Sequence, residues 1–177
     1  MGRTLLEDAI SEAGFAPEDV TYVINTHLHF DHAGGNTFVQ RHMPHGVEGG
    51  QRTAVPPYRR TAQGGEEGGE NIAQLSFPNA TYVVQRGELE AATNPNERSA
   101  ASYLADNFQP VTDANAWHLV DGEAEILPGI SVLPTPGHTP FHQSVLISDG
   151  GDVACYAGDC VPTTAHVPLP WIMAYDL

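Results

Sequence analysis

Residues 27–32 read His27-Leu28-His29-Phe30-Asp31-His32, three imidazoles and a carboxylate in one short run. Neutral imidazole nitrogen and carboxylate oxygen are the donors that zinc and similar divalent ions accept. The run follows VTYVIN (20–25), a short β-rich stretch. If the extended backbone persists, His27 and His29 project alike. The loop then turns, and Asp31 and His32 can face a second point. No single tetrahedral site would take all these groups from so short a loop, so the spacing suits two adjacent ions. Two further turns follow predicted strands and carry the same kind of donor: Pro136-Gly137-His138-Thr139 and Ala157-Gly158-Asp159. Ligands on separate strand-end loops point to a built metal site rather than to an isolated surface cluster.

Other candidates are weaker. His142 lies four residues after His138 and is expected to support the loop through a hydrogen bond rather than to bind metal. His42 and His45 are expected to be solvated, and His118, on a predicted strand, to be structural. Cys155 is expected to be a small buried packing residue, and Cys160, beside the Gly158-Asp159 turn, a packing residue as well. Phe30, Phe141, Trp171 and Met173 suit either an apolar substrate cleft or the core.

The elements that must position these residues are legible in outline. Thr4 is expected to cap a first helix, with Glu7 three residues on completing a capping box. Leu5, Leu6, Ala9, Ile10 and Ala13 make an apolar helical face, and Gly14 is a natural stop. Strands are expected at 20–25, 81–85 and 116–120, with a further pair joined by Pro128-Gly129. A hairpin over 144–147 and 153–157 turns at Asp149-Gly150-Gly151. Short helices are expected over 86–92 and 97–105, broken by Asn94-Pro95. Residues 42–71 hold seven Gly, three Pro and four Glu without an apolar period. They are expected to be a mobile insertion loop, a solvated linker rather than a lid. Strands mixed with a few helices indicate one α/β or α+β domain over 1–177 with partly antiparallel sheets.

Composition removes several classes. The chain has 177 residues, 41% of them hydrophobic, which suffices for a single core. Its 18 Gly and 14 Pro imply many turns. Seven Arg and no Lys against 22 acidic residues give a formal charge of −15. That argues against nucleic acid as a partner and against docking on an anionic membrane. No apolar run is long enough to span a bilayer. MGRTLLEDAISEAG carries acids through its apolar stretch, unlike a signal peptide. Two Cys make no disulfide framework, so the expected location is the reducing cytoplasm.

The HxHxDH run, the PGHT turn and the GD turn together resemble the metallo-β-lactamase-fold hydrolase superfamily. The resemblance runs from LLEDAISEAGFAPEDVTYVINTHLHFDHAGGN to the final PWIMAYDL. FPNATYVVQRGELEAA and AGDCVPTTAHVPLPWIMAYDL are similar more narrowly to quorum-quenching lactonase-like and organophosphate-hydrolase-like members. The resemblance implies an αββα sandwich with metals at one edge of the sheets. It implies that His27, His29 and His138 bind a first metal, Asp31 and His32 a second, and that Asp159 bridges them. The implied cofactors are two divalent ions, zinc above all. A metal-bound hydroxide would be the nucleophile, with Asp31 and Asp159 as catalytic residues. A divalent ion lowers the pKa of bound water from about 16 toward 7. The expected activity is hydrolysis of a small-molecule ester-like substrate: a lactone, a carboxylic ester or a phosphotriester. Thioester hydrolysis of the glyoxalase II type is an enzymatic alternative, and a catalytically silent metal-binding fragment is a non-enzymatic one.

Two departures from the family pattern stand out. The family carries a further His ligand several tens of residues beyond the bridging Asp, whereas here only His166 follows Asp159. Some lactonases place a Tyr three residues after that Asp, where this chain has Pro162. The family also has strands before the first helix, and Asp176 would cap a helix that does not follow. The expectation is therefore a domain truncated at both ends, with an incomplete second metal site.

Overall fold

The computed structural model describes residues 5–40, 52–53 and 72–168. Helix α1 (Leu5–Glu12) leads into strand β1 (Tyr22–Ile24) and the single-turn helix α2 (Phe30–Ala33). Strands β2 (Thr37–Gln40), β3 (Arg52–Thr53), β4 (Ile72–Leu75) and β5 (Thr81–Gln85) follow, then α3 (Arg86–Thr93) and α4 (Gln109–Asp113). The remaining strands are β6 (Trp117–Val120), β7 (Ala124–Leu127), β8 (Ile130–Pro134), β9 (Gln143–Asp149) and β10 (Asp152–Tyr156). They form a parallel sheet β1-β5-β6, an antiparallel sheet β10-β9-β8-β7 and a small antiparallel sheet β3-β2-β4. The mixed α/β class expected from the sequence is the class observed.

Strand β5 shows how the layers are built. Its side chains alternate between two apolar environments, as the period of a strand requires. Val83 joins Val120 and Val132 in a cluster between the parallel and antiparallel sheets. Tyr82 and Val84 point the other way, toward Val111 of α4 and Ala92 of α3. A strand covered on both faces reads as a continuous apolar run, which is why YVV was recognisable. The two larger sheets are also tied by a buried polar link. Gln143 Nε2 donates to the Asn25 carbonyl, and Gln143 Oε1 accepts from Gln85 Nε2, both at 2.8 Å. This link sits where β1 and β5 end and β9 begins, at the edge from which the loops carrying the candidate residues emerge.

Several expectations need correction. Leu5 and Leu6 are 89% and 41% exposed while Glu7 is buried. Only Ile10 of the expected apolar face packs against a core cluster, beside Phe77 and Tyr82. Residues 97–105 are not a helix. The Asn96 side chain accepts hydrogen bonds from the Arg98 and Ser99 N–H groups and holds tight turns there. The helical turn comes later, at Gln109–Asp113, where Pro110 lies in the first turn and is tolerated. Of the insertion loop 42–71, residues 52–53 form β3 and pair with β2, and the rest lies outside the described residues, as do His42, His45, Trp171 and Met173. Cys155 is exposed on β10 rather than buried, and Cys160 is exposed too. Among the described residues no helix is long and apolar enough to cross a membrane.

Candidate metal centre

Strand β1 delivers residues 25–29 to the sheet edge, and α2 then turns the chain back on itself. The Ala33 N–H donates to the His29 carbonyl at 2.8 Å, so His29 ends the extended stretch and starts the helical turn. The turn brings His32 back to His27, with ring centroids 4.1 Å apart. His138 arrives from the loop after β8, and its Nε2 lies 3.0 Å from His29 Nδ1. Asp159 arrives from the turn after β10. Its Oδ2 lies 3.3 Å from His32 Nε2 and 3.4 Å from His138 Nε2.

Two groups of donors result. One is His27, His29 and His138; the other is His27, His32 and Asp159. Within each, the candidate ligand atoms lie within 4.8 Å of one another. His27 belongs to both, and it is fully buried. Its Nδ1 faces Thr26 Oγ1 at 3.1 Å, while its Nε2 is buried without a hydrogen-bond partner. A buried polar nitrogen left open is costly in a folded chain. A cation is the partner that a lone pair in this position suits.

Electrostatics keep those lone pairs free. Burial, and then the neighbouring His32, His29, His142 and His138, hold the His27 imidazole far below the usual histidine range. Burial, followed by His138, lowers His29 to about 4. His27 and His29 are therefore neutral near pH 7, the state that metal coordination requires. Imidazoles gathered with a carboxylate fit a borderline divalent ion such as zinc.

The Asp159 turn is set by His142. The Asp159 N–H donates to His142 Nε2 at 3.2 Å. His142 Nδ1 lies 2.9 Å from Thr135 Oγ1, which lies 2.9 Å from Ser144 Oγ. Ser144 Oγ donates to the Ala157 carbonyl. That last donation fixes every proton behind it: Thr135 donates to Ser144, and His142 donates from Nδ1 to Thr135. His142 is thus neutral with Nε2 open to accept, in line with a pKa lowered to about 4 by burial and then His138. Gly158 is obligatory beside it. Its φ is +55°, and a Cβ there would lie 2.8 Å from His142 Nε2 and 3.0 Å from Thr26 Cγ2.

The structure brings five of the six candidate ligands into the two groups: His27, His29, His32, His138 and Asp159. Asp31 stands apart at the rim. Its side chain is 59% exposed, with Oδ2 3.6 Å from His32 Nε2. His142 takes the supporting role expected of it, and His118 faces solvent. His166 is half-buried and bonds Thr163 instead of joining either group. Phe30 lines a pocket of about 230 Å³ with Asp31, Ser102 and Asp159, and Phe141 is half-exposed against Gly87. A larger cleft of about 550 Å³ opens beside His29 and His138 and is walled by Asn94, Ser102 and Tyr103. Sequence reasoning missed Glu88 and Tyr103, which bond each other beneath this cleft. The available signal was Glu88 sharing a helical face with Ala92, four residues on.

A family model, the metallo-beta-lactamase superfamily, matches residues 2–176, and the chain belongs to that superfamily. More narrowly, it is 33% identical to an N-acyl homoserine lactonase from a Bacillus species over 138 residues, which is 78% of this chain and 37% of that enzyme. It thus spans well under half the length of this curated relative. A solved structure from Staphylococcus aureus, described as a probable metal-dependent hydrolase, superposes with a TM-score of 0.74 at 29% identity, covering 98% of this chain and 50% of the other. An N-acyl homoserine lactone hydrolase, solved with the product N-hexanoyl-L-homoserine at its catalytic metal centre, gives 0.51 at 28% identity, covering 81% of this chain and 39% of that one.

Proposed function

We propose that this chain carries the metal centre of a hydrolase that opens small lactone rings, with N-acyl homoserine lactones as the substrate class. The observation that carries the reading is the pair of donor groups sharing one buried imidazole, His27, whose Nε2 has no protein partner. In this reading His27, His29 and His138 hold one divalent ion, zinc by donor chemistry, and His27, His32 and Asp159 present ligands to a second. Bound there, such ions supply Lewis acidity, acidifying water and polarising a carbonyl oxygen.

The chain's own residues do the rest. The cleft beside His29 and His138 accepts the acyl part of the substrate, with Asn94 and Ser102 offering hydrogen bonds to its amide. Asp31 lines the smaller pocket with Asp159 and His138, so its exposed carboxylate can take a proton from the attacking water and return it to the leaving alkoxide. Water adds to the ring carbonyl, the ring C–O bond breaks, and a hydroxy acid leaves. The relatives support the lactone: the N-acyl homoserine lactonase is a family member by sequence, and the solved hydrolase holds a ring-opened product at its metal centre. A reducing, cytoplasmic location accords with two exposed, unpaired cysteines.

The test is a pH-stat assay of the zinc-loaded chain on N-acyl homoserine lactones, aryl esters, phosphotriesters and thioesters. Lactone opening should lead the panel, stop on chelation, return with zinc and place solvent oxygen in the acid product. Faster turnover of a thioester or phosphotriester would reassign the substrate. Lactone opening that survives chelation would refute the metal centre.

A further inference from the structure

Glu88 is fully buried on α3, and both its carboxylate oxygens are engaged. Oε1 accepts from the Leu28 N–H at 3.0 Å and from the Tyr103 hydroxyl at 3.1 Å. Oε2 accepts from the Thr139 hydroxyl at 2.7 Å. The identity of these partners is what matters. Leu28 lies between His27 and His29, and Thr139 directly follows His138. Tyr103 sets its ring edge-on to His29, with centroids 4.9 Å apart. One carboxylate therefore grips both loops that carry the first donor group, although Leu28 and Thr139 are far apart in the chain.

We propose that Glu88 is a positioning residue for the metal centre: it sets the spacing of His27, His29 and His138 and so presets the first metal site. The proposal rests on the ligand assignment made above. Hydrogen bonds from one rigid, buried acceptor to both loops hold imidazoles in place as partners behind metal ligands do elsewhere, here through the backbone and a neighbouring side chain rather than through the rings. The carboxylate suits the task because each partner is a donor and none needs a proton in return. The Tyr103 phenol is pushed up by burial and then by Glu88, so it stays protonated and keeps donating.

Glutamine at position 88 can keep most of this. Its carbonyl oxygen would accept from Leu28 and Tyr103, and its amide would donate to a rotated Thr139 hydroxyl. Alanine keeps nothing. The experiment measures zinc affinity by competition with a chromogenic chelator, and the visible spectrum of the cobalt(II)-substituted chain, for wild type, Glu88→Ala, Glu88→Gln and Thr139→Val. Unfolding of each metal-free chain is followed in parallel. Glu88→Ala should weaken the tight ion at least tenfold and shift the cobalt bands. Thr139→Val should weaken it severalfold, and Glu88→Gln should stay within about threefold of wild type. A loss confined to thermal stability, with affinity and cobalt spectrum unchanged in the variants that fold, would overturn the proposal. Should Glu88→Ala fail to fold, Thr139→Val decides on the same criterion. A wild-type chain that binds no divalent ion would instead overturn the ligand assignment itself, so the two failures are distinguishable.

Discussion

Around His29 and His138 the bracing is a single buried carboxylate that reaches both loops at once, with Glu88 accepting from Leu28, Tyr103 and Thr139. Around His32 and Asp159 it is a relay, running from the Asp159 N–H through His142, Thr135 and Ser144 to the Ala157 carbonyl. The two halves share His27 but differ in burial. The His138 side chain is 5% exposed, whereas those of His32 and Asp159 are 21% and 18% exposed, and Asp31 stands beyond them at the rim. On the proposed reading the more buried half holds the tighter ion, and the more exposed half admits water. The bracing of the second half runs through a neutral imidazole, whereas that of the first runs through a carboxylate.

Acid should show this difference most strongly. His142 is fully buried with its pKa lowered to about 4, so the unfolded chain binds its proton at a higher pH than the folded chain does. Its contribution to stability is complete above about pH 6.5 and falls away as the pH drops toward 4. The loss is on the order of 3 kcal/mol for this group. Denaturant unfolding of the metal-free chain between pH 7.5 and 4 should therefore show a falling midpoint, to which His27 and His29 also contribute, and His142→Gln should make the fall less steep. A Gly158→Ala change should come next. It adds a Cβ at positive φ against His142 and Thr26, which would cost roughly 2 kcal/mol. It should displace Asp159 while leaving the first group able to bind zinc, as metal counting on the dialysed variant would show. Thr135→Val is the mildest. Removing one hydroxyl from the relay should cost about 1 kcal/mol in a thermal melt, without loss of the tight ion.

Legibility followed local signal. The HxHxDH run, the PGHT turn and the GD turn were visible because their residue types are chemically specific and each follows a strand. β5 was visible because both its faces are covered, and the β9–β10 hairpin because Gly150 and Gly151 at positive φ suit its turn. Helix α1 misled because an amphipathic pattern reports what a face could bury, not what packs there, and only Ile10 reaches a cluster. The run at 97–105 misled because an Asn side chain outcompeted the helical ladder for the backbone. The candidate ligands could be read from the chain, but the bonds behind them could not. Glu88 looks like an ordinary acidic residue on a short helix, and only the tertiary fold brings Leu28 and Thr139 to it. His142 could be assigned a supporting role, but the relay behind it depends on the register of β8 against β9, which pairs Leu133 with Ser144.

The shared imidazole is the centre of the account, and counting ions tests it most directly. Dialysed, zinc-loaded wild type, His32→Ala and His27→Ala chains would be compared by atomic emission, with folding checked by circular dichroism. Wild type should retain at least one equivalent, His32→Ala should keep the tight ion, and His27→Ala should retain essentially none, because it removes a ligand from both groups. A folded His27→Ala chain that still holds a full equivalent of zinc would contradict the account.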